Sequence, residues 1–348
     1  MPNKLAIAPQ QHILKNPDGW PDEVLPLFER AFTCEFATLT RQNVPITFPL
    51  TPYISEDERT IDVSTGLTYP AKAERARRNP KVGMLFSDAV GTGLIKAPVV
   101  LVHGLASVRD ADLQANTDRY VRLSLAKLPA GFKGTPGFML KRFPWYFARI
   151  WMEVTPLHIF WWPDGYTDKA PQHWKAPEGT SAPPSDPTPT GKQPTAWKES
   201  PTEWCEAAAR AVQELGLPIL TTVNGEGFPS PMRVQHVTLT SEGFQLQLPE
   251  GMPVEAMGDK GAACLTFHAH PEIFSGQENK AFVGEVTSHD GNVLLKVERR
   301  LADWSLAGSK LSATWSFLSS GRRLAPRLRA EAERRGQPVP EVHVPDFW

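Results

Sequence analysis

Ser64, Thr65 and Gly66, followed by Lys72, form the stretch of this sequence best suited to hold an anion. The two hydroxyls can donate hydrogen bonds, and the glycine lets the chain turn closely around a ligand. A helix starting just beyond it would present backbone N–H groups, with Lys72 in its first turn. Together these groups suit a phosphate. Lys72, Arg75 and Arg78 recur at intervals of three, so on a helix they share one face. The same string also reads as a basic surface helix after a Ser-Thr turn, and spacing alone does not separate the two readings.

Other residues with chemical potential form weaker patterns. His268 and His270 lie two apart at the end of an expected strand and His236 on an earlier strand, so metal or haem ligation is one reading. Exposed or hydrogen-bonded histidines are the other. His103, inside VLVHGLA, is a candidate neighbour of a bound ligand or a satisfied barrel histidine. Cys34, Cys205 and Cys264 show no CxxC spacing, so each is expected as a buried small side chain. Of the eleven tryptophans, Trp145, Trp151, Trp161 and Trp162 cluster and read as core or interface. The basic run from Arg322 to Arg335 also holds Glu331 and Glu333, which suits a solvated helix.

The elements that must position these residues can be read from pattern. A helix is expected over Pro21 to Phe32, then a hairpin of Cys34–Arg41 and Val44–Ile54 around Gln42 and Asn43, then a strand over Thr60–Thr65. Pro70–Asn79 reads as a short helix stopped by Pro80. Strands over Val82–Ser87 and Val99–Val108, a helical stretch near Ala111–Leu128 and a closing strand over Tyr146–Trp161 complete the first half. Mostly antiparallel strands with one short and one longer helix favour a small barrel over a parallel βαβ sheet.

From Pro163 to Pro201 nine prolines fall among polar residues, which predicts a stiff linker or surface wrap. Beyond it the order repeats: a helix to Leu215, strands over Pro218–Val223, Pro229–Leu239, Gly243–Leu248, Ala262–His268 and Ala281–Ser288. Pro45 aligns with Pro229, Met84 with Cys264 and Gly104 with Gly284, a spacing expected of a diverged duplication.

The string IDVSTGLTYPAKAERARRNPKVGMLF resembles the FMN-binding split-barrel superfamily, which includes pyridoxamine 5'-phosphate oxidases and deazaflavin-binding reductases. There a strand ending in Ser-Thr precedes a helix with a Lys, then Arg-Arg-Asn-Pro and a strand opening Lys-Val. Here these are Ser64-Thr65, Lys72, Arg77-Arg78-Asn79-Pro80 and Lys81-Val82. The similarity extends over Phe36 to Trp161.

The resemblance implies two tandem split β-barrels, each six-stranded: an FMN-binding one over 1–162, the linker over 163–200, and a degenerate one with a C-terminal helix and tail over 201–348. It implies that Ser64, Thr65, Gly66 and Lys72 contact the FMN phosphate and that the strand holding Thr47, Phe48, Pro49 and Leu50 runs beside the isoalloxazine ring. A deazaflavin would fit the same phosphate site, and haem is a further alternative. The second half has Leu248-Pro249-Glu250 where the hydroxyls would stand, so one flavin per chain, between the barrels, is expected.

Lys plus Arg number 37 against 38 Asp plus Glu, so no global field favours nucleic acid or an anionic membrane. No run of about 18 apolar residues suggests a spanning helix, and a cytoplasmic location is expected. The expected activity is FMN-dependent oxidation or reduction of a small organic substrate, with a nicotinamide as possible electron donor. The chain is expected as a monomer with an internal pseudo-dimer or as a homodimer. A non-catalytic flavin or haem sensor is the alternative.

Overall fold

The computed structural model describes residues 19–191, 203–250, 260–289, 292–301, 304–305, 310–346 and 348. The first half runs α1 (Leu25–Arg30), β1 (Cys34–Leu39), β2 (Pro45–Leu50), β3 (Tyr53–Ile54), β4 (Ile61–Gly66), α2 (Ala71–Arg78), β5 (Lys81–Phe86) and β6 (Val99–Arg109). It continues with α3 (Leu113–Lys127), α4 (Pro129–Phe132), α5 (Gly137–Leu140), α6 (Pro144–Phe147), β7 (Arg149–Trp162) and β8 (Gln172–Lys175). The second half runs α7 (Trp204–Glu214), β9 (Ile219–Val223), β10 (Pro229–Arg233), β11 (His236–Leu239), β12 (Gly243–Gln247) and β13 (Lys260–Ala269). β14 (Glu278–His289), β15 (Asn292–Arg300), β16 (Trp304–Ser305) and α8 (Lys310–Arg334) follow.

The β1–β2 hairpin closes where expected. Thr40 and Val44 exchange hydrogen bonds through Thr40 N–H and its side chain, and Asn43 takes the left-handed φ of 62° that asparagine tolerates. The single strand expected over Val44–Ile54 is broken into β2 and β3 at Thr51-Pro52, where proline offers no ladder donor.

That break defines the architecture. The first sheet has the order β2-β1-β5-β6-β7-β4-β3, so β2 and β3, two residues apart in the chain, lie at opposite ends of the sheet. The sheet must curl until its edges meet, which makes a split barrel. The second sheet, β10-β9-β13-β14-β15-β12-β11, repeats this order, with β10 and β11 as its broken pair. All pairings are antiparallel. The chain is two split β-barrels, and each sheet is eight-stranded where six strands were expected, because the short β3 and β8, or β11 and β16, join it. Both long central ladders carry a bulge at the same place, between His103 and Gly104 in β6 and between Val283 and Gly284 in β14.

The barrels face each other through a pseudo-two-fold seam. β2 packs on β9, β13 and β14, and β10, its counterpart, packs on β1, β5 and β6. Ile46 of β2 is buried with Cys264, Ala281 and Val283 of the second barrel, while Leu85, Leu101 and Trp162 of the first sheet are buried in the second core.

The proline-rich segment lies along the first barrel: β8 pairs with β7, and Ser107 donates to the carbonyl of Pro183. α8 also returns to the first barrel, where Leu324, Leu328 and Ala332 join its core. Arg334 and Arg335 at its end are buried, contrary to the solvated helix expected there. Cys34 and Cys264 are buried as expected, whereas Cys205 is exposed because it sits on the outer face of α7. No described helix is long and apolar enough to cross a membrane.

Candidate functional site

The end of β4 and the start of α2 bring together the residues singled out in the sequence. Ser64 and Thr65 are both buried, but successive residues of a regular strand leave opposite faces, so their side chains diverge. Thr65 Oγ1 donates to the Tyr69 carbonyl at 2.9 Å, which closes the turn into α2. Gly66 has no side chain to fill the space beside Arg149, whose Nη1 would lie 3.5 Å from a Cβ built there.

Lys72 is half-buried, with Nζ 4.5 Å from the centre of the Phe48 ring. Burial, helped by the nearby charges of Arg75 and Arg149, pushes its pKa down to about 7. Arg75, one turn on, donates from Nε to Thr38 Oγ1 at 2.8 Å, while its Nη2 is buried without an acceptor. Burial lowers Arg75 to about 10, opposed by the Cys264 thiol and reinforced by Arg78 and Arg299, so this flank of the site faces the second barrel.

Arg149 was not foreseen. It opens β7 directly opposite Gly66, and its guanidinium lies 3.8 Å from the Tyr120 ring centre and 5.0 Å from that of Tyr146. Its Nε is buried without an acceptor. The only signal in the sequence is an arginine at the head of the closing strand, and its meaning depends on the β4–β7 pairing. From α8, Arg327 comes within 5.9 Å of the Tyr69 ring, also with a buried Nε that lacks an acceptor.

Lys72, Arg75 and Arg149 thus form a group of cations with no carboxylate partner among the described residues. Buried cations are normally paired, and unmet guanidinium donors are costly, so the arrangement fits an anion supplied from outside the chain. A doubly charged phosphate monoester meets that requirement, and the residues present therefore fit the phosphate of an FMN-type cofactor.

The β2 residues divide between two roles. Phe48 lies under Lys72. Thr47 turns to the seam instead, with Oγ1 2.6 Å from Thr221 Oγ1 and its carbonyl accepting from Thr266 Oγ1 at 3.1 Å. Pro49 is buried and Leu50 half-buried against the first core.

The histidines lie elsewhere. His268 meets Glu35 of β1 across the seam at 2.7 Å, and His270 is 3.3 Å from Asp88. His236 is on β11, bonded locally to Thr238, and does not join them. No group of His, Cys, Asp or Glu among the described residues has an arrangement that could hold a metal. His103 is buried, 3.3 Å from Ser230 Oγ, and burial with the neighbouring His158 and His173 lowers it to about 3, so it is neutral at physiological pH. In the second half, Leu248, Pro249 and Glu250 follow β12 without regular structure, and the rest of the segment compared with the phosphate loop, 251–259, falls outside the described residues. A separate cavity of about 500 Å³, lined in part by Glu29, Glu56, Glu58 and Lys127, has an acidic rim unsuited to phosphate.

No family model and no curated protein matches the chain. Among solved structures, a putative pyridoxamine 5'-phosphate oxidase from Listeria innocua is similar at 19% identity, covering 40% of this chain and 94% of its own, with a TM-score of 0.27. An F420 reductase is similar at 15% identity, covering 40% and 98%, with a TM-score of 0.30. The haem storage protein HutZ of Vibrio cholerae is similar at 14% identity, covering 38% and 87%, with a TM-score of 0.27. Each aligns most of its length with about two fifths of this chain, and it is the strand order, broken edge strands and paired bulges of the chain itself that make the two halves split barrels.

Proposed function

We propose that the first barrel binds a phosphate-bearing flavin, FMN in the first instance, and that the chain is a flavin-dependent oxidoreductase acting on a small organic molecule, with a nicotinamide as electron donor. The observation that carries this reading is the group Lys72, Arg75 and Arg149 at the end of β4, which among the described residues has no carboxylate partner and leaves two buried guanidinium donors unmet. When bound, a flavin supplies hydride transfer, so no acid or base in the chain need be the redox group.

The chain's own residues would bind and orient. Lys72 and Arg75 would reach the anion from α2 and Arg149 from β7, with Tyr120 and Tyr146 packed against the Arg149 guanidinium. Phe48 and the β2 backbone form one wall beside α2, and Cys264 and Arg299 of the second barrel lie near Arg75 on the other side. A cofactor held by these residues would have both barrels beside it, which would limit water at its polar end. A deazaflavin monophosphate group would be recognised by the same cations.

The test is a titration of the purified protein with FMN, riboflavin and haem, followed by absorbance and flavin fluorescence. Saturable FMN binding that weakens at least tenfold in riboflavin supports the reading. Equal affinity for both flavins, or a Soret band with no flavin binding, overturns it.

A further inference from the structure

α2 is poorly equipped to hold itself. It has eight residues and no side-chain N-cap, and within the helix the basic residues Lys72, Arg75, Arg77 and Arg78 are accompanied by one acid, Glu74. Isolated helices of this length do not persist in water, so its orientation must come from what it packs against. Lys72 and Arg75, three apart, point to the phosphate site, and Glu74 and Arg77, also three apart, point away from it.

The far face is gripped by the C-terminal helix. Glu74 Oε1 accepts from Arg334 Nη2 at 2.9 Å and lies 3.3 Å from Arg335 Nη2. Arg335 Nε donates to Asp110 Oδ2 at 2.8 Å, and Arg77 Nη2 donates to the other oxygen of Asp110 at 2.7 Å. Glu331 Oε2 accepts from both Arg335, at 2.6 Å, and Arg334, at 3.1 Å. Three acids and three arginines alternate in a nearly closed set, and all but Glu74, at 15%, expose less than a tenth of their side chains. Arg77 also donates to the carbonyl of Asp186 from the proline-rich segment.

We propose that Glu74, clamped by Arg334 and Arg335 some 260 residues later in the chain, is a positioning residue that aims Lys72 and Arg75 at the cofactor phosphate. The proposal rests on the phosphate reading of the site and adds to it a role for a helix beyond the second barrel. Clamping one face of α2 holds the other face, with its unmet positive charge, in a fixed place before any ligand arrives.

The experiment compares FMN with riboflavin in full-length wild type, Lys72→Met, Glu74→Gln and the double variant, with Arg334→Gln as a second probe of the clamp. Glu74→Gln is expected to reduce the FMN to riboflavin affinity ratio about 5-fold to 30-fold, and by a clearly smaller factor once Lys72 is Met, when Arg75 alone remains to be aimed. A clamp that only stabilises the fold would weaken both flavins alike, or would act equally in both backgrounds, and either result overturns the proposal. If Lys72→Met itself leaves the ratio unchanged, the phosphate reading fails. If Lys72→Met lowers the ratio and neither Glu74→Gln nor Arg334→Gln does, that reading stands and the positioning role fails.

Discussion

His158 of β7 and Arg299 of β15 hold the same place in the two sheets, each paired with the residue just before a bulge, His103 in one case and Val283 in the other. Arg299 contributes positive charge near Arg75, on the phosphate side of the seam. Its counterpart faces a different environment: His158 Nδ1 is 3.0 Å from His173 Nε2, and the rings of His158, Phe160 and His173 stack together.

That difference predicts stoichiometry. The seam offers two pseudo-equivalent positions, but at the one around His158 the ring of His173 from β8 stacks on Phe160 at 4.4 Å between ring centres, where the other has the Arg299 cation. Saturation at one flavin per chain is expected, measured by absorbance against protein concentration with molecular mass from light scattering. Two flavins per chain would contradict the asymmetry.

Lys72 makes binding sensitive to pH. With its pKa near 7 in the free protein, Lys72 is partly neutral at physiological pH, and a bound dianion raises that pKa. Binding therefore takes up protons, and FMN affinity should fall as pH rises from about 7 to 9, above the second phosphate pKa of about 6. The sign for stability is opposite. The folded-state pKa lies below the ordinary value of 10.5, so the unfolded chain carries more protons between the two, and the cofactor-free protein should gain stability as pH rises through that window. Isothermal titration at pH 7 and 9, and melting curves of wild type and Lys72→Met, would test both signs. A Lys72→Met variant whose FMN affinity retained the full pH dependence would refute the assignment.

Much of the fold was legible because local pattern decides it. Alternation, the Asn43 turn and the strand–helix–strand run through Ser64, Lys72 and Lys81 all depend on neighbours within a few residues. Arg149 and the clamp on Glu74 were not legible, because each depends on pairing across the chain: Arg149 on the register that sets it against Gly66, and Arg334 on a helix that leaves the second half to pack on the first. Thr47 shows the intermediate case. Its strand was identified, but which face meets the other barrel follows from the seam, and local sequence does not encode it.

Thr47→Val follows from that geometry. The Thr47 and Thr221 hydroxyls are 2.6 Å apart and both residues are fully buried, so removing one leaves the other without this partner at the seam. A loss of about 1–2 kcal/mol in urea unfolding is expected. FMN affinity should change less than twofold, because the side chain is committed to the second barrel. A large loss of affinity at unchanged stability would return Thr47 to the cofactor site.

Gly83→Ala probes the seam from the other side. Gly83 lies on β5 where β10 crosses it, and a Cβ there would sit 2.0 Å from the Pro229 carbonyl oxygen and 2.8 Å from Pro231 Cδ. The first is backbone in a paired strand and cannot rotate away, so the barrels must separate locally or β10 must shift. Overpacking of this kind costs about 1–3 kcal/mol, and the clash lies at the severe end of that range. The expected result is a lower denaturation midpoint together with weaker FMN binding, because Cys264 and Arg299 move relative to Arg75 when the seam opens. A Gly83→Ala protein with wild-type midpoint and affinity would show that the two barrels do not approach each other here as closely as the structure places them.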